Sequence, residues 1–329
     1  MDNQNKPLLI GILGPTACGK TKLAVRVAQA FNCEVVSGDS MQVYRRMDIG
    51  TAKVTAEEAQ GIPHWLIDIR EPDEGFSVAD FRREAVSCID AILARGHLPI
   101  VCGGTGLYIN SLIKAYHFSA VGGADANLRD VLRRQLAQQG AQAMHDRLRA
   151  IDPAAAERIH ANDSRRILRA LEVWYSEGVP LSSLWHEPGA ETPYRPLLIG
   201  LTGDREKLYS RIEQRIDAML EQGLVDEVAA LLKEGIDRNS VSMQGLGYRQ
   251  IAAYIEGECS LEDAVTVLKR DTRRFAKRQL TWFKRDGRIN WYNIDEYRDE
   301  NVLLREVLTL IEHARKESDH REGIAGTIP

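Results

Sequence analysis

The stretch GPTACGKT occupies residues 14–21 and directly follows the apolar run LLIGIL at 8–13. A short apolar run that ends in glycine predicts a buried strand, and the apolar spacing of residues 20–31 predicts a helix. GxxxxGK[ST] between a strand and a helix is typical of a P-loop, in which backbone N–H groups and the helix N-terminus hold phosphate oxygens. The sequence therefore predicts an α/β protein organised around a phosphate site.

Further apolar runs extend this pattern along the chain. They predict strands at 33–37, 97–102, 197–201 and 289–292. Strands that alternate with helices favour a P-loop NTPase-like parallel sheet with helices on both faces. Two long amphipathic helices are predicted as well, at about 204–234 and 261–285.

The middle of the chain has a different character. It is charged and helix-rich and contains no convincing strand, so we expect a helical insertion domain at 113–195, between Gly122-Gly123 and the loop at 188–196. The α/β core then comprises 1–112 and 196–315, and 316–329 is predicted to be a polar, frayed tail.

Composition excludes several classes of protein. Of the 329 residues, 44% are hydrophobic and 27% are charged, which is typical of a globular protein. The five cysteines are scattered without CxxC spacing, which argues against a disulfide framework and a zinc site. The polar N-terminus and the lack of a long apolar run argue against a signal peptide and a membrane span. We therefore expect a cytoplasmic protein that does not bind membranes.

The P-loop residues indicate what is bound. Gly14 and Gly19 let the loop wrap closely, Lys20 adds positive charge, and Thr21 offers a hydroxyl to Mg²⁺. Enzymes that hydrolyse nucleoside triphosphates usually carry a second strand ending in Asp, whereas the best candidate here, LPIVCGGTG at 98–106, ends in cysteine and glycines. This difference disfavours a motor or GTPase and leaves kinases and enzymes that bind a pyrophosphate.

Two other loops are predicted at the same sheet edge. Asp39 follows the second strand, and Gly103-Gly104-Thr105-Gly106 follows a later one. Ligands of open parallel sheets bind at the carboxyl ends of the strands. Asp39 can be a general base, a Mg²⁺ partner or the cap of the following turn, and Thr105 can donate to a substrate.

Positive charge is concentrated in two segments of this chain, whose net charge is −4. Residues 265–288 contain nine Lys or Arg and two Asp, a local net charge of +7. The helical spacing predicts a basic face of Arg270, Arg273, Arg274, Lys277 and Lys284, with Leu268, Phe275 and Trp282 in the core. A second cluster, SRRILR at 164–169, lets Arg165 and Arg166 face RNA while Ile167 and Leu168 pack. A solvated helix face is the alternative, but charge of a single sign favours RNA phosphates.

Taken together, these motifs resemble the tRNA dimethylallyltransferase (IPP transferase) family. The resemblance covers about residues 8–292 and rests on GPTACGKT, DSMQVY at 39–44, IGTAK at 49–53, GGTGLY at 103–108, NDSRRILRALEV at 162–173, RIEQRIDAML at 211–220, GLGYRQ at 245–250 and FAKRQLTWFKR at 275–285. It implies transfer of a dimethylallyl group from dimethylallyl diphosphate to N6 of the adenosine 3′ of the anticodon, in tRNAs that read codons beginning with U. The P-loop would then hold the leaving pyrophosphate, which accounts for the missing Asp.

The resemblance also implies roles for individual residues. It makes Asp39 the general base, places Thr105 near the reacting groups, and adds Arg215, or alternatively Arg211, to Lys20 at the pyrophosphate. The pyrophosphate would be held by Gly14, Pro15, Thr16, Ala17, Cys18, Gly19, Lys20, Thr21 and Arg211. The tRNA anticodon stem-loop would be contacted by Asp39, Ser40, Met41, Gln42, Thr105, Arg165, Arg166, Ile167, Leu168, Arg169, Gly245, Gly247, Tyr248, Arg249, Arg274, Lys277 and Arg278.

Two departures from the family pattern affect these expectations. Residue 18, commonly serine in the family, is Cys18, whose thiol could make activity sensitive to oxidation. The zinc-finger extension of eukaryotic relatives is absent, which indicates a bacterial-type enzyme that we expect to be monomeric. Two other readings are a P-loop small-molecule or nucleotide kinase, which has no use for the basic helix, and a P-loop RNA-binding switch.

Overall fold

The computed structural model describes residues 6–114, 126–185 and 192–325. Six strands form one sheet: β1 (Leu8–Leu13), β2 (Cys33–Ser37), β3 (His64–Trp65), β4 (Leu98–Gly103), β5 (Arg195–Thr202) and β6 (Asn290–Asn293). Their order is β3-β2-β4-β1-β5-β6, and every neighbouring pair is parallel. The predicted parallel α/β sheet is confirmed. The sequence pattern missed β3 because two residues are too few to show a period.

Helices connect and flank the strands. They are α1 (Lys20–Phe31), α2 (Ala56–Ala59), α3 (Val78–Ala94), α4 (Gly106–Ile113), α5 (Ala126–Ile151), α6 (Pro153–Arg158), α7 (Ser164–Glu177), α8 (Arg205–Glu221), α9 (Leu224–Lys233), α10 (Tyr248–Ile255), α11 (Leu261–Phe283) and α12 (Glu300–Ala325). Two short 3₁₀ helices lie at Leu181–Leu184 and Ile294–Glu296.

The register of the central strands positions the site. All six residues of β1 are buried, as expected for a strand covered on both faces. Leu13 at the end of β1 pairs with Gly103 of β4, and Ser37 at the end of β2 pairs with Cys102. The three strands therefore end at the same level, and the loops that follow them emerge side by side.

The chain divides into two compact units, Met1–Ile113 with Pro193–Pro329 and Lys114–Thr192. The first contains the sheet. The second contains α5, α6 and α7, whose own apolar cluster includes Met144, Leu148, Ile167 and Leu171. The predicted boundary at Gly122-Gly123 and residues 188–191 of the loop at 188–196 lie outside the described residues.

Two predicted elements differ in the structure. The helix expected over 204–234 is two helices, α8 and α9, because Gly223 adopts a φ of 100° that a helix cannot contain. The tail expected to fray from residue 316 instead continues α12 as far as Ala325, and 326–329 lie outside the described residues.

A buried carboxylate stabilises the sheet at the end opposite the P-loop. Glu34, at the start of β2, accepts hydrogen bonds from Arg95 Nε (2.9 Å), Arg95 Nη2 (2.7 Å), Trp65 Nε1 (2.7 Å) and His97 Nδ1 (2.7 Å). Burial by itself raises the pKa of this carboxyl, but the hydrogen bonds from Arg95, Trp65 and His97 outweigh it, and the pKa is lowered overall. Glu34 thereby joins β2, β3 and the turn before β4.

We predict that Glu34→Gln destabilises the fold at pH 7 by about 1–3 kcal/mol, because an amide cannot accept all of these hydrogen bonds. A carboxyl whose pKa is lowered on folding stabilises the fold above its unfolded pKa, and this stabilisation is lost as the pH falls through the folded pKa. The deficit of the variant should therefore shrink from pH 6 towards pH 3.5. Urea unfolding across this range measures it, with the exposed Glu312→Gln as a control; a deficit independent of pH would contradict the assignment.

Candidate active site

The P-loop has the conformation expected of a phosphate cradle. It follows β1 and ends where α1 begins at Lys20, with positive φ at Gly14 (144°), Ala17 (62°) and Gly19 (80°). A Cβ on Gly14 would lie 2.4 Å from the Leu201 carbonyl oxygen, so this position requires glycine. The backbone therefore wraps around the N-terminus of α1, where N–H groups and the helix dipole favour an anion.

Two P-loop side chains bond to the loop itself. Lys20 Nζ donates to the Pro15 carbonyl at 2.6 Å, and the Cys18 thiol donates to the same oxygen at 2.9 Å. Cys18 is buried, and burial raises the pKa of its thiol. Because the reactive form of cysteine is the thiolate, the thiol is poorly reactive in this setting. The oxidation sensitivity expected from the sequence has no support in the structure.

The two candidate arginines of α8 have different partners. Arg211 donates to Asp295 through Nη1 (2.8 Å) and Nη2 (3.1 Å), a bidentate ion pair that lowers the pKa of Asp295. Arg215 is exposed, and its Nη1 lies 3.4 Å from Thr16 Oγ1 in the P-loop. Arg215 is therefore the one whose guanidinium reaches the loop.

A cavity of about 680 Å³ adjoins the P-loop. P-loop residues 17–21 line one side, and Arg211, Arg215 and the segment after β6 line the other. The cavity is large enough for a diphosphate ester, and Lys20 and the two arginines give it positive charge. Within the described ranges, no group of three or more His, Cys, Asp or Glu residues is placed to bind a metal ion. The half-buried Thr21 is a hydroxyl donor at the start of α1.

The loops after β2 and β4 lie together and bond to each other. Thr105 Oγ1 accepts the Ser40 N–H at 3.1 Å, and the Thr105 N–H donates to the Gly38 carbonyl at 3.3 Å. Asp39 Oδ1 accepts the Met41 N–H at 2.8 Å, so one carboxylate oxygen does cap the turn. Among the described residues, the other oxygen accepts no hydrogen bond. Capping and a chemical role are thus compatible in one side chain.

Gln42 and Met41, which were expected to contact RNA, are used inside the protein. The Gln42 side chain accepts from Ser37 Oγ at 2.8 Å and donates to the carbonyls of Thr51 and Ala52. Met41 is half-buried and packs against Gly245, where a Cβ would lie 2.6 Å from the methionine methyl group. Both side chains brace the loop that carries Asp39.

A residue that sequence analysis did not single out, Gln279, joins two of the loops. Its Oε1 accepts the Thr16 N–H and its Nε2 donates to the Gly104 carbonyl, both at 3.0 Å. One signal was available: Gln279 lies at helical spacing between Ala276 and Phe283, so it is a polar residue on the buried face of α11.

The GLGYRQ segment contributes structure more than exposed side chains. Tyr248 is fully buried and its hydroxyl donates to Glu227 Oε1 at 2.6 Å; burial and the adjacent carboxylate raise its pKa. Glu227 also accepts the N–H groups of Asp48, Ile49 and Gly50 at 2.8–3.1 Å. The Tyr248 side chain is therefore unavailable to RNA. Gly245 and Gly247 are buried as well, and as glycines they can offer an RNA only backbone groups.

Arg249 of α10 remains exposed and joins a cluster around Asp271 of α11. The Asp271 carboxylate lies 2.7 Å from Arg249, 3.2 Å from Arg270 and 3.9 Å from Arg274. Burial by itself raises the pKa of Asp271, but Arg270 and Arg249 outweigh it and the pKa is lowered overall. One carboxylate thus holds three guanidinium groups on the same surface.

The basic face of α11 is narrower than the spacing predicted. Arg274, Lys277 and Arg278 are exposed, as is Lys284, but Arg273 bonds to Glu213 of α8 and Lys269 pairs with Asp217 at 2.6 Å. Arg273 therefore packs against a neighbouring helix. The aromatic residues follow the prediction in part: Trp282 packs against the core, whereas Phe275 is half-buried with the Arg278 guanidinium 5.8 Å from its ring centroid. Phe283, which was not predicted to be in the core, is buried.

In the second unit, SRRILR forms the start of α7. Arg165, Arg166 and Arg169 are exposed, whereas Ile167 is fully buried and Leu168 packs against the same apolar cluster. Arg169 lies 3.4 Å from Glu172, which also pairs with Arg129 at 2.8 Å. Only the arginine side chains of this segment are available to an RNA.

Comparison with known proteins gives consistent results. The sequence model of the IPP transferase family matches residues 42–286. A tRNA dimethylallyltransferase of Thermoanaerobacter sp. (strain X514) is 49% identical over 303 residues, which cover 91% of this chain and 96% of the relative. One from Carboxydothermus hydrogenoformans is 51% identical over 286 residues, 87% of this chain and 91% of the relative.

Solved structures agree in fold. A tRNA isopentenylpyrophosphate transferase of Bacillus halodurans has a TM-score of 0.73 at 45% identity, covering 97% of this chain and all of that one. A eukaryotic dimethylallyltransferase, described as acting on tRNA, has a TM-score of 0.76 at 29% identity and covers 88% of this chain and 74% of that one. No helix in the described residues is both long and apolar enough to cross a membrane.

The family model spans well over half of the chain, the relatives align over nearly their whole length, and the sheet edge carries the P-loop beside Asp39 and Thr105. This chain belongs to the IPP transferase family, and it is an enzyme of the prenyltransferase type.

Proposed function

We propose that this enzyme transfers the dimethylallyl group of dimethylallyl diphosphate to N6 of adenosine 37, immediately 3′ of the tRNA anticodon. The acceptors are tRNAs that read codons beginning with U, and the product is N6-dimethylallyladenosine. The observation that carries the proposal is the junction of an anion-binding P-loop with the Asp39–Thr105 loops at one sheet edge. The relatives named as tRNA dimethylallyltransferases support it.

The P-loop side of the site binds the leaving group. As the bond between C1 of the allyl group and the diphosphate oxygen breaks, negative charge grows on the diphosphate. Lys20, the loop N–H groups and Arg215 lie where they stabilise this charge, which is the main means of catalysis for such a step. Arg211 acts indirectly, since its bidentate pair with Asp295 shapes the cavity wall.

Thr21 fits a role in binding Mg²⁺, because Mg²⁺ prefers oxygen ligands and usually binds through a few protein groups together with substrate phosphates. When bound there, Mg²⁺ would neutralise part of the diphosphate charge. The chain's own contribution is the Thr21 hydroxyl at the N-terminus of α1.

Asp39 acts on the nucleophile. The exocyclic amine of adenine is weakly nucleophilic because its lone pair is delocalised into the ring. As its nitrogen bonds to C1, the amine must lose a proton, and the Asp39 oxygen that does not cap the turn is placed to accept it. Thr105, fixed by its bonds to Ser40 and Gly38, lies beside this carboxylate and positions the reacting groups.

The adenine is stacked in the anticodon loop and must turn out to reach this edge. Arg274, Lys277, Arg278 and Arg249 offer a phosphate-binding surface on the first unit, and Arg165, Arg166 and Arg169 offer one on the second. Ser40 and the backbone of Gly245 and Gly247 remain proposed contacts; Tyr248, Ile167 and Leu168 do not. We also propose that the enzyme works in the cytoplasm as a monomer.

The central test uses two labelled donors. With Mg²⁺ and unmodified tRNA, we expect label from the dimethylallyl group of dimethylallyl diphosphate to reach the tRNA, and no label from the γ-phosphate of ATP. A tRNA with guanosine at position 37 is the matched control and should stay unlabelled, and EDTA should suppress transfer. Labelling only from ATP would replace the proposal with a kinase.

We predict that Asp39→Asn lowers kcat at saturating tRNA by about 10²–10⁴-fold, because the amide still caps the turn but accepts no proton. Single-turnover prenylation measures this effect. The exposed Asp73→Asn is the matched control and should retain wild-type kcat. Near-wild-type turnover by Asp39→Asn would remove the general base from the mechanism.

We predict that the double variant Arg274→Ala, Lys277→Ala weakens tRNA binding and lowers the slope of log Kd against log salt by about one to two, because each phosphate contact releases counterions. Filter binding at several salt concentrations measures the slope. Lys269→Ala removes a lysine of the same helix that already pairs with Asp217, and it should leave the slope unchanged. Equal slopes for the double variant and the wild type would show that this face does not bind RNA.

A further inference from the structure

Gln279 is the one side chain of α11 that bonds to two separate loops of the site. It is 6% exposed, and its carboxamide lies between Thr16 of the P-loop and Gly104 of the loop that carries Thr105. The approach to Gly104 is very close: a Cβ there would lie 2.1 Å from Gln279 Nε2. A side chain at position 104 would therefore displace the Gln279 carboxamide.

The two hydrogen bonds need one group that both accepts and donates. Oε1 accepts an N–H, and Nε2 donates to a carbonyl, each at 3.0 Å. A carboxylate accepts but cannot donate, and a thioether does neither effectively. The Gly104 carbonyl is buried and the Thr16 N–H is part-buried next to α11, where an unsatisfied partner is costly.

The two loops that Gln279 joins serve different reactants in the proposed reaction, the diphosphate donor and the adenine amine. Thr16 belongs to the pyrophosphate cradle, and its Oγ1 is also the P-loop contact of Arg215. Gly104 precedes Thr105, which bonds to Ser40 next to Asp39. The carboxamide therefore fixes the distance between the leaving-group side and the nucleophile side.

We propose that Gln279 is a positioning residue that sets the spacing between the P-loop and the Asp39–Thr105 loops for prenyl transfer. This inference rests on the proposed function. Gln279 touches the loops and need not touch substrate. Its loss misaligns the donor carbon and the attacking nitrogen, and small misalignments of reacting groups are costly. Its effect should fall on kcat and on pyrophosphate binding, and tRNA affinity should be unaffected.

The first test replaces Gln279 with methionine, which has a similar length and lacks both hydrogen bonds. We expect kcat to fall about 10–100-fold, inorganic pyrophosphate to bind more weakly in calorimetry, and the Kd for tRNA to stay within about twofold. Thr281→Ala, at an exposed position of α11 whose hydroxyl bonds only to the Lys277 carbonyl, is the control and should behave as wild type. Wild-type kcat and pyrophosphate binding in Gln279→Met would overturn the proposal.

The second test separates the two hydrogen bonds and does not depend on the first variant folding. In Gln279→Glu the ionised carboxylate still accepts from Thr16 but cannot donate to Gly104, whereas the protonated carboxyl does both. Burial raises the pKa of an introduced carboxyl. The kcat of this variant relative to wild type should therefore rise as the pH falls from 8.5 to 6.0, and a ratio that does not change with pH would overturn the proposal.

The readouts also distinguish the two hypotheses. If the wild-type enzyme fails to prenylate tRNA, the proposed function is wrong, and pyrophosphate binding by the variants still tests Gln279. If the wild type is active and both variants match it, only the role of Gln279 is wrong.

Discussion

The site depends on the parallel register of β1, β2 and β4. Parallel strands that end at one level send their following loops out at the same edge, and here this places residues 14–19, the turn at Asp39 and the turn at Thr105 side by side. All six residues of β1 are buried. A shift in the register would expose apolar residues of β1 or of the strands beside it, so the register is hard to change. Anion binding and nucleophile activation then need only short local turns, which the hydrogen bonds among the loops hold in place.

Some cations of the first unit are exposed, and others are held in ion pairs. Helix α11 exposes Arg274, Lys277 and Arg278, while its Lys269 and Arg273 pair with Asp217 and Glu213 of α8. In the P-loop cavity, Arg211 forms an ion pair with Asp295, whereas Arg215 lies near Thr16. An arginine paired with a carboxylate that is itself well bonded is a structural element, and an arginine with one weak contact is available to a ligand. On this contrast we propose Arg215, rather than Arg211, as the pyrophosphate contact, a choice that spacing alone left open.

Much of this arrangement follows from sequence, and the exceptions have physical causes. The P-loop, five of the six strands and the basic helix were predictable because each depends on a local pattern. The burial of Tyr248 and the pairing of Arg273 were not, because each is decided by a partner distant in the chain. The break at Gly223 is a local glycine effect that the apolar spacing on both sides of it obscured. Gln279 was the hardest to assign: helical spacing places a polar residue on the buried face, but only the fold shows that its partners are Thr16 and Gly104. The roles given to the individual residues remain proposals.

The contacts of the Glu227 carboxylate determine when, during synthesis of the chain, the segment after Asp39 can be anchored. It fixes the turn at 48–50 through contacts that span 177–179 residues of chain, and it holds Tyr248 as well. A nascent chain that has left the ribosome as far as α4 contains the P-loop, Asp39 and Thr105, yet it lacks the group that anchors the segment after Asp39. Domains form as their chain emerges, and contacts between distant residues form late. The segment after Asp39 is therefore anchored only once the chain has been synthesised as far as Glu227 and Tyr248.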